Sequence, residues 1–263
     1  HGADPDARTA RGETALALAA HPGPLKARAA DELVALLRRH GARVDLHAAA
    51  MLGDTDTLQA LLADDPTQIN ARDEHGATAL FCAAHNLHQA AVDLLLSQGA
   101  DPDLATAGGE TPLSAAVDHR WDEGGPRVVE QLLAAGPRVD LFSAAQLDLA
   151  DQVDSLLRDD PSLLAGRRYG YSCLFLAAGA GAAEAVTALL RHGAEVDERD
   201  VHHGSTALHQ AAAWGRYEVA ERLLAGGADR SLTNRAGQTP TELARAHGWL
   251  PVAELLEAPA RDD

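Results

Sequence analysis

The stretch TALHQAAAWGRYEVAERLLAGGAD, residues 206–229, decides how the rest of the chain is read. A Thr opens a short Ala/Leu run, the run breaks around Trp214 and Gly215, and a second apolar-periodic run ends at Leu223 and Leu224 before a glycine pair. Thr is a good N-cap, because its hydroxyl accepts from backbone amides that the first helical turn leaves unpaired. Gly227 suits the left-handed position that closes a helix. The pattern therefore predicts two short helices joined by a tight turn.

Both halves recur. A Gly, one residue, then Thr or Ser leads into TALALAA (14–20), TALFCAA (78–84), TPLSAAV (111–117), SCLFLAA (172–178), TALHQAA (206–212) and TPTELAR (239–245). Two further copies, LHAAAML (46–52) and LFSAAQL (141–147), lack that lead-in. Each of the eight is followed by a helix with a Leu pair near its end, such as LVALLRRHGA, VDLLLSQGA or VTALLRHGA. Gly41, Gly99, Gly136, Gly193 and Gly227 close five of these; Asp-Asp-Pro at 64–66 and 159–161 closes two, Pro forbidding continuation. Self-similarity at this period is the signature of a stacked repeat.

The 206–229 segment is similar to the ankyrin consensus over nearly its whole length, and the resemblance extends more loosely over almost the entire chain. It implies an all-α ankyrin solenoid of about eight helix–turn–helix repeats with short β-hairpin fingers. The approximate bounds are 8–45, 46–71, 72–103, 104–140, 141–168, 169–200, 201–234 and 235–258, within a single domain of 1–263. In that family the Thr and His of TxLH are structural. Here His stands at that place in two copies, His47 and His209; elsewhere it is Ala17, Phe81, Ser114, Phe142, Phe175 or Glu242. Asp45 and Asp140 run straight into helices, so two repeats are expected to lack the finger. Spacings of 95 residues (Gly41 to Gly136) and 94 (Gly99 to Gly193) make 8–103 and 104–200 duplicated three-repeat cassettes. Each cassette carries a long inter-helix loop, 21–32 and 117–127. At the ends, HGADPD (1–6) reads as the tail of a repeat whose helices are absent, and the charged unit ending in PARDD reads as a cap.

Composition narrows the function. The chain is 46% hydrophobic but only 3% aromatic, which suits thin, tightly packed helical layers. A formal charge of −17 argues against nucleic acid and anionic membrane surfaces and toward a partner with a basic face. One Lys among 22 basic residues, with abundant Ala, hints at a GC-rich bacterial source. Two cysteines, Cys82 and Cys173, fall inside apolar helical runs and offer no disulfide framework, which fits a reducing, cytoplasmic setting. No apolar run approaches the ~20 residues of a membrane span.

No sequence motif carries catalysis, a cofactor or a metal. The His85/His88 and His202/His203 pairs lack ligand spacing, and no His-Glu-x-x-His or Cys-x-x-Cys is present. The aromatics point instead to recognition, since exposed Trp, Tyr and Arg dominate interface hot spots. The expected binding residues are Trp121 in the long loop, Arg167, Arg168, Tyr169 and Tyr171 at one finger, His202 and His203 at the next, and Trp214, Tyr217 and Trp249 at inter-helix turns. By the resemblance, finger tips and inner helices line a concave face. The leading reading is a monomeric, non-catalytic protein-binding scaffold. The alternative is a small-molecule binder or small enzyme using His202, His203, Tyr169, Tyr171 and Trp214 as acid–base and stacking groups.

Overall fold

Among the described residues every inner helix begins at a side chain that accepts from its own first turn. Thr78, Thr111, Ser172, Thr206 and Thr239 do this with their hydroxyls. Asp45 and Asp140 do it with carboxylates. Fourteen complete α-helices result among the described residues, alternating inner and outer. The computed structural model describes residues 36, 37 and 39–258, with residues 4, 7 and 15 as isolated positions. The expected repeat at 8–45, its loop 21–32 and the segments 1–6 and 259–263 otherwise lie outside the described residues.

The chain forms two compact units, residues 1–138 and 139–263. In the first, the inner helices are α1 (Leu46–Met51), α3 (Ala79–His85) and α5 (Pro112–Asp118). Its outer helices are α2 (Thr55–Asp64), α4 (Gln89–Ser97) and α6 (Gly125–Ala134). In the second, inner helices α7 (Leu141–Gln146), α9 (Cys173–Ala180), α11 (Ala207–Ala213) and α13 (Pro240–Ala246) pair with outer helices α8 (Ala150–Asp159), α10 (Ala183–Arg191), α12 (Tyr217–Ala225) and α14 (Leu250–Glu257). Within each unit inner packs on inner, outer on outer, and each hairpin on itself. Small residues make this stacking possible: Ala79, Ala83 and Ala84 in one unit, and Ala177, Ala178, Ala211 and Ala212 in the other, are fully buried. The outer helices supply the bulk from Leu58, Leu95 and Leu132, and from Leu157, Leu189 and Leu223.

The two Asp-Asp-Pro stops have the same structural use. Asp65 and Asp160 each cap a 3₁₀ turn, Pro66–Asn70 and Pro161–Ala165. The five glycines expected after outer helices are left-handed, with φ between 72° and 91°. The fingers expected as β-hairpins take a minimal form. No strand occurs among the described residues, and the single bridge joins Arg168 to Tyr171. The tips are too short for a ladder and are held by Asx-type turns instead. The Asp73 carboxylate accepts from the amides of His75 and Ala77, and the Asn234 side-chain oxygen from those of Ala236 and Gln238.

The turn between inner and outer helix also needs a left-handed residue. Gly53, Gly181, Gly215 and Gly248 supply it, but Leu87 (φ 59°) and Asp148 (φ 58°) stand in the same place. Asp148 is compensated: its carboxylate accepts at 2.7 Å from the Ala185 amide, in the first turn of α10, whose own N-cap Ala182 makes no side-chain bond. Leu87 makes no such bond. Leu87→Gly is therefore expected to raise stability by about 0.5–1 kcal/mol through relief of the left-handed cost. Asp148→Ala is expected to lower it by about 1.5–2 kcal/mol by adding a lost cap to that cost. Urea midpoints at unchanged slope give both values; equal signs for the two variants would contradict this account.

Candidate protein-binding surface

The distinctive chemistry of the second unit gathers where one finger is missing and the next two differ in length. Asp140 caps α7 by accepting from the amides of Phe142 and Ser143, which leaves no residues for a finger. Arg168 occupies the space. Its guanidinium bonds the Asp140 carboxylate at 2.9 Å and lies 4.9 Å from the centre of the Phe142 ring. The neighbouring Arg167 pairs with Glu198. Of the two arginines at this tip, then, Arg168 works internally, only 14% exposed, while Arg167 stays at the surface.

From Arg167 to the helix cap Ser172 the first of these fingers spans five positions, whereas the equivalents Arg72 to Thr78 span six and Arg199 to Thr206 span seven. The short finger closes as a two-residue turn in which both central residues, Tyr169 (φ 52°) and Gly170 (φ 82°), are left-handed. That geometry matches strand twist and normally selects Asn-Gly. Tyr in place of Asn is strained, and its ring is 59% exposed at the tip. The long finger leans on it. The Nε2 of His202 bonds the Tyr169 carbonyl at 2.8 Å, and Val201 and His202 lie so close over Gly170 that a Cβ there would sit 2.5 Å from Val201 Cγ2. Below the tip the rings continue inward: His202 packs 5.1 Å from Tyr171, and Tyr171 stacks 4.8 Å from Phe175.

The long finger is braced by Asp200, whose side chain is fully buried. Burial alone would raise its pKa, but the backbone amides of His203, Ser205 and His202 more than offset that and hold the carboxyl below its ordinary value. Behind it, His209 is 1% exposed. Its Nδ1 takes the Thr206 amide and hydroxyl, and its Nε2 bonds the Gln238 carbonyl of the following repeat. His47 makes the corresponding reach to the Ala71 carbonyl at 3.0 Å. The network needs a neutral ring, with Nε2 the donor, and burial lowers the His209 pKa from 6.5. The sign follows: on acidification the unfolded chain takes up this proton first, so its contribution is complete above pH 6.5 and is lost as pH falls toward the lowered value. The depressed carboxylates Asp65, Asp154, Asp200 and Asp229 act only below 3.8. Between pH 7 and 5, His209→Gln should therefore lose less stability than the parent. Parallel urea curves for the two proteins would contradict this assignment.

The other expected residues lie apart from this surface. Trp214 follows the last residue of α11 and Tyr217 begins α12, at the far end of α11 from Thr206, roughly 10 Å along the helix axis. Trp249 is partly committed to folding: its indole donates to the Ala213 carbonyl at 3.0 Å, and its ring fills the space where Gly215 lacks a Cβ. Trp121 sits in the first unit, 65% exposed beneath the Arg120 guanidinium, in the connection between α5 and α6. The acid–base alternative thus loses Trp214 from its cluster. A cleft of roughly 370 Å³ does exist, but Leu164, Ala165, Leu174, Ala194, Arg167 and Glu198 are among its walls, and none of the five residues of that alternative is. Burial pushes both thiols, Cys82 and Cys173, up to about 12, so neither is a thiolate at neutral pH. Among the described residues no group of three or more His, Cys, Asp or Glu is arranged to hold a metal, and no helix is long and apolar enough to cross a membrane.

Sequence reasoning overlooked Asp200, Asp73 and Asn234. The signal was present as Asp or Asn three or four residues before the finger glycine, at Asp73–Gly76, Asn234–Gly237 and Asp200–Gly204.

Comparison with known proteins agrees with this architecture. The family described as ankyrin repeats (3 copies) matches residues 46–143 and 141–234. The chain belongs to the ankyrin-repeat family. It is 28% identical over 221 residues, 84% of its length, to ankyrin repeat protein nuc-2 of Neurospora crassa. It is 27% identical over 212 residues, 81% of its length, to human SH3 and multiple ankyrin repeat domains protein 2. A transient receptor potential cation channel subfamily A member 1 homolog of Caenorhabditis elegans is 33% identical over 121 residues, 43% of the chain. The chain spans between 10% and 18% of the length of these three relatives.

Proposed function

We propose that this chain is a non-catalytic, monomeric protein-binding module, one ankyrin-repeat domain over 1–263, and that its partner docks on the tip and inner-helix surface of residues 139–263. The observation that carries this is Tyr169, held exposed in a left-handed conformation at the junction of two unequal fingers. Backbone strain at an exposed aromatic marks a position shaped by recognition rather than folding. Membership of a family whose repeats generally mediate protein association supports it. The formal charge of −17 favours encounter with a partner that is basic overall and disfavours nucleic acid. The two free, buried thiols fit a reducing, cytoplasmic setting.

Affinity capture from source lysate tests the reading, comparing the parent with Tyr169→Asn and Trp214→Ala. Capture lost in the first variant and kept in the second is the expected result. Capture unchanged by Tyr169→Asn, or turnover by the isolated chain, would sink it. The 370 Å³ cleft supports one second reading, a small-molecule site. A metabolite that raises the melting temperature of the parent but not of Leu174→Trp would favour that reading.

A further inference from the structure

Although the chain is acidic overall, two exposed arginines stand at the finger tips of the second unit beside the Arg167–Glu198 pair. Arg199 is exposed and donates to the carbonyls of Gly204 and Thr233 at 2.8 and 2.6 Å. Arg235 is exposed and donates to the carbonyls of Val201 and His202 at 2.9 and 2.8 Å. Each guanidinium is oriented by two neutral acceptors, so its position is fixed, donors remain, and among the described residues it pairs with no carboxylate. The carboxylate in the same loop, Asp200, faces inward and is consumed by three amides. The corresponding finger of the first unit, ARDEHGAT (71–78), carries Glu74 where this one has Val201.

Building on the docking surface proposed above, we infer that these fingers take a short, extended acidic segment of the partner, with an apolar residue between its carboxylates. Arg199 and Arg235 bind the carboxylates, and Tyr169 with the exposed Val201 covers the apolar residue. A peptide rather than a polyanion is favoured by long-range charge. At −17 the chain repels a nucleic acid, whereas a few carboxylates on an otherwise basic partner reach the two arginines without that penalty.

The test is selection of a random twelve-residue peptide library on the full chain, followed by affinities of the enriched peptides. Two or more Asp or Glu flanking an apolar residue are expected. Affinity should fall about tenfold or more in the Arg199→Gln/Arg235→Gln double variant. Because both arginines also brace the fingers, Arg235→Glu is measured too. A peptide with one Glu changed to Lys should regain affinity for that variant, which a merely misfolded tip would not allow. Enrichment of basic or neutral peptides that still require Tyr169 would overturn this inference and leave the docking surface intact. So would a single-stranded oligonucleotide of equal length that binds more tightly than the peptides. Absence of any tip-dependent peptide would overturn both.

Discussion

Leu208→Ala is expected to cost about 2–5 kcal/mol, the range for deleting a fully buried leucine whose cavity relaxes incompletely. Leu208 is 0% exposed in α11, which packs on α9 before it and α13 after it. A stacked array has little core beyond its nearest-neighbour interfaces, so one lost side chain weakens two interfaces together. The damage should spread unequally. Helices α13 and α14 pack directly on the repeat that carries Leu208, whereas α7 and α8 stand one repeat further away, so the amides of α13 and α14 should lose hydrogen-exchange protection before those of α7 and α8. Leu256→Ala, in the last outer helix, removes the same atoms and should cost less than Leu208→Ala. Equal losses, or uniform loss of protection across 139–258, would show the unit to be one cooperative block.

The repeat was legible because its signals are local. Thr, Ser or Asp at each inner-helix start, and Gly or Asp-Asp-Pro after most outer helices, follow from the orphan amides and carbonyls of short helices, and these needs do not depend on the rest of the fold. Asp45 and Asp140 read correctly as caps replacing fingers for the same reason. The surface was less legible because its geometry comes from differences between repeats. One fewer residue after Arg167 and one more after Arg199 are visible in the chain, but their effect, His202 reaching the Tyr169 carbonyl, is a contact between fingers. Arg168 and Trp249 were grouped by residue type with the exposed aromatics. Only packing reveals that Arg168 fills the missing finger's space and that Trp249 bonds the Ala213 carbonyl. Leu87 and Asp148 also look alike in sequence as departures from Gly, and only the Ala185 amide tells them apart.

Tyr169→Asn is expected to move stability and recognition in opposite directions. Asn tolerates the left-handed region, and Asn-Gly is the preferred pair for the turn that Tyr169 and Gly170 form. The substitution should therefore stabilise the chain by about 0.5–1 kcal/mol, since the 59% exposed ring gives up little packing. The His202 bond survives, because its acceptor is the backbone carbonyl and not the side chain. Removing an exposed anchor of hot-spot type should weaken the partner by about 2 kcal/mol or more, roughly 30-fold. A residue retained for folding cannot give that pair of signs: its loss either destabilises or does nothing, and any change in binding follows the change in stability. Melting temperature and partner affinity measured on the same samples of Tyr169→Asn and Tyr169→Phe separate the two cases. The Phe variant keeps the strain and the ring, so it should lack the stabilisation of Tyr169→Asn and keep most of the parent's affinity. If Tyr169→Asn is more stable and binds as tightly as the parent, the strain at this tip serves no recognition, and the partner docks elsewhere on the chain.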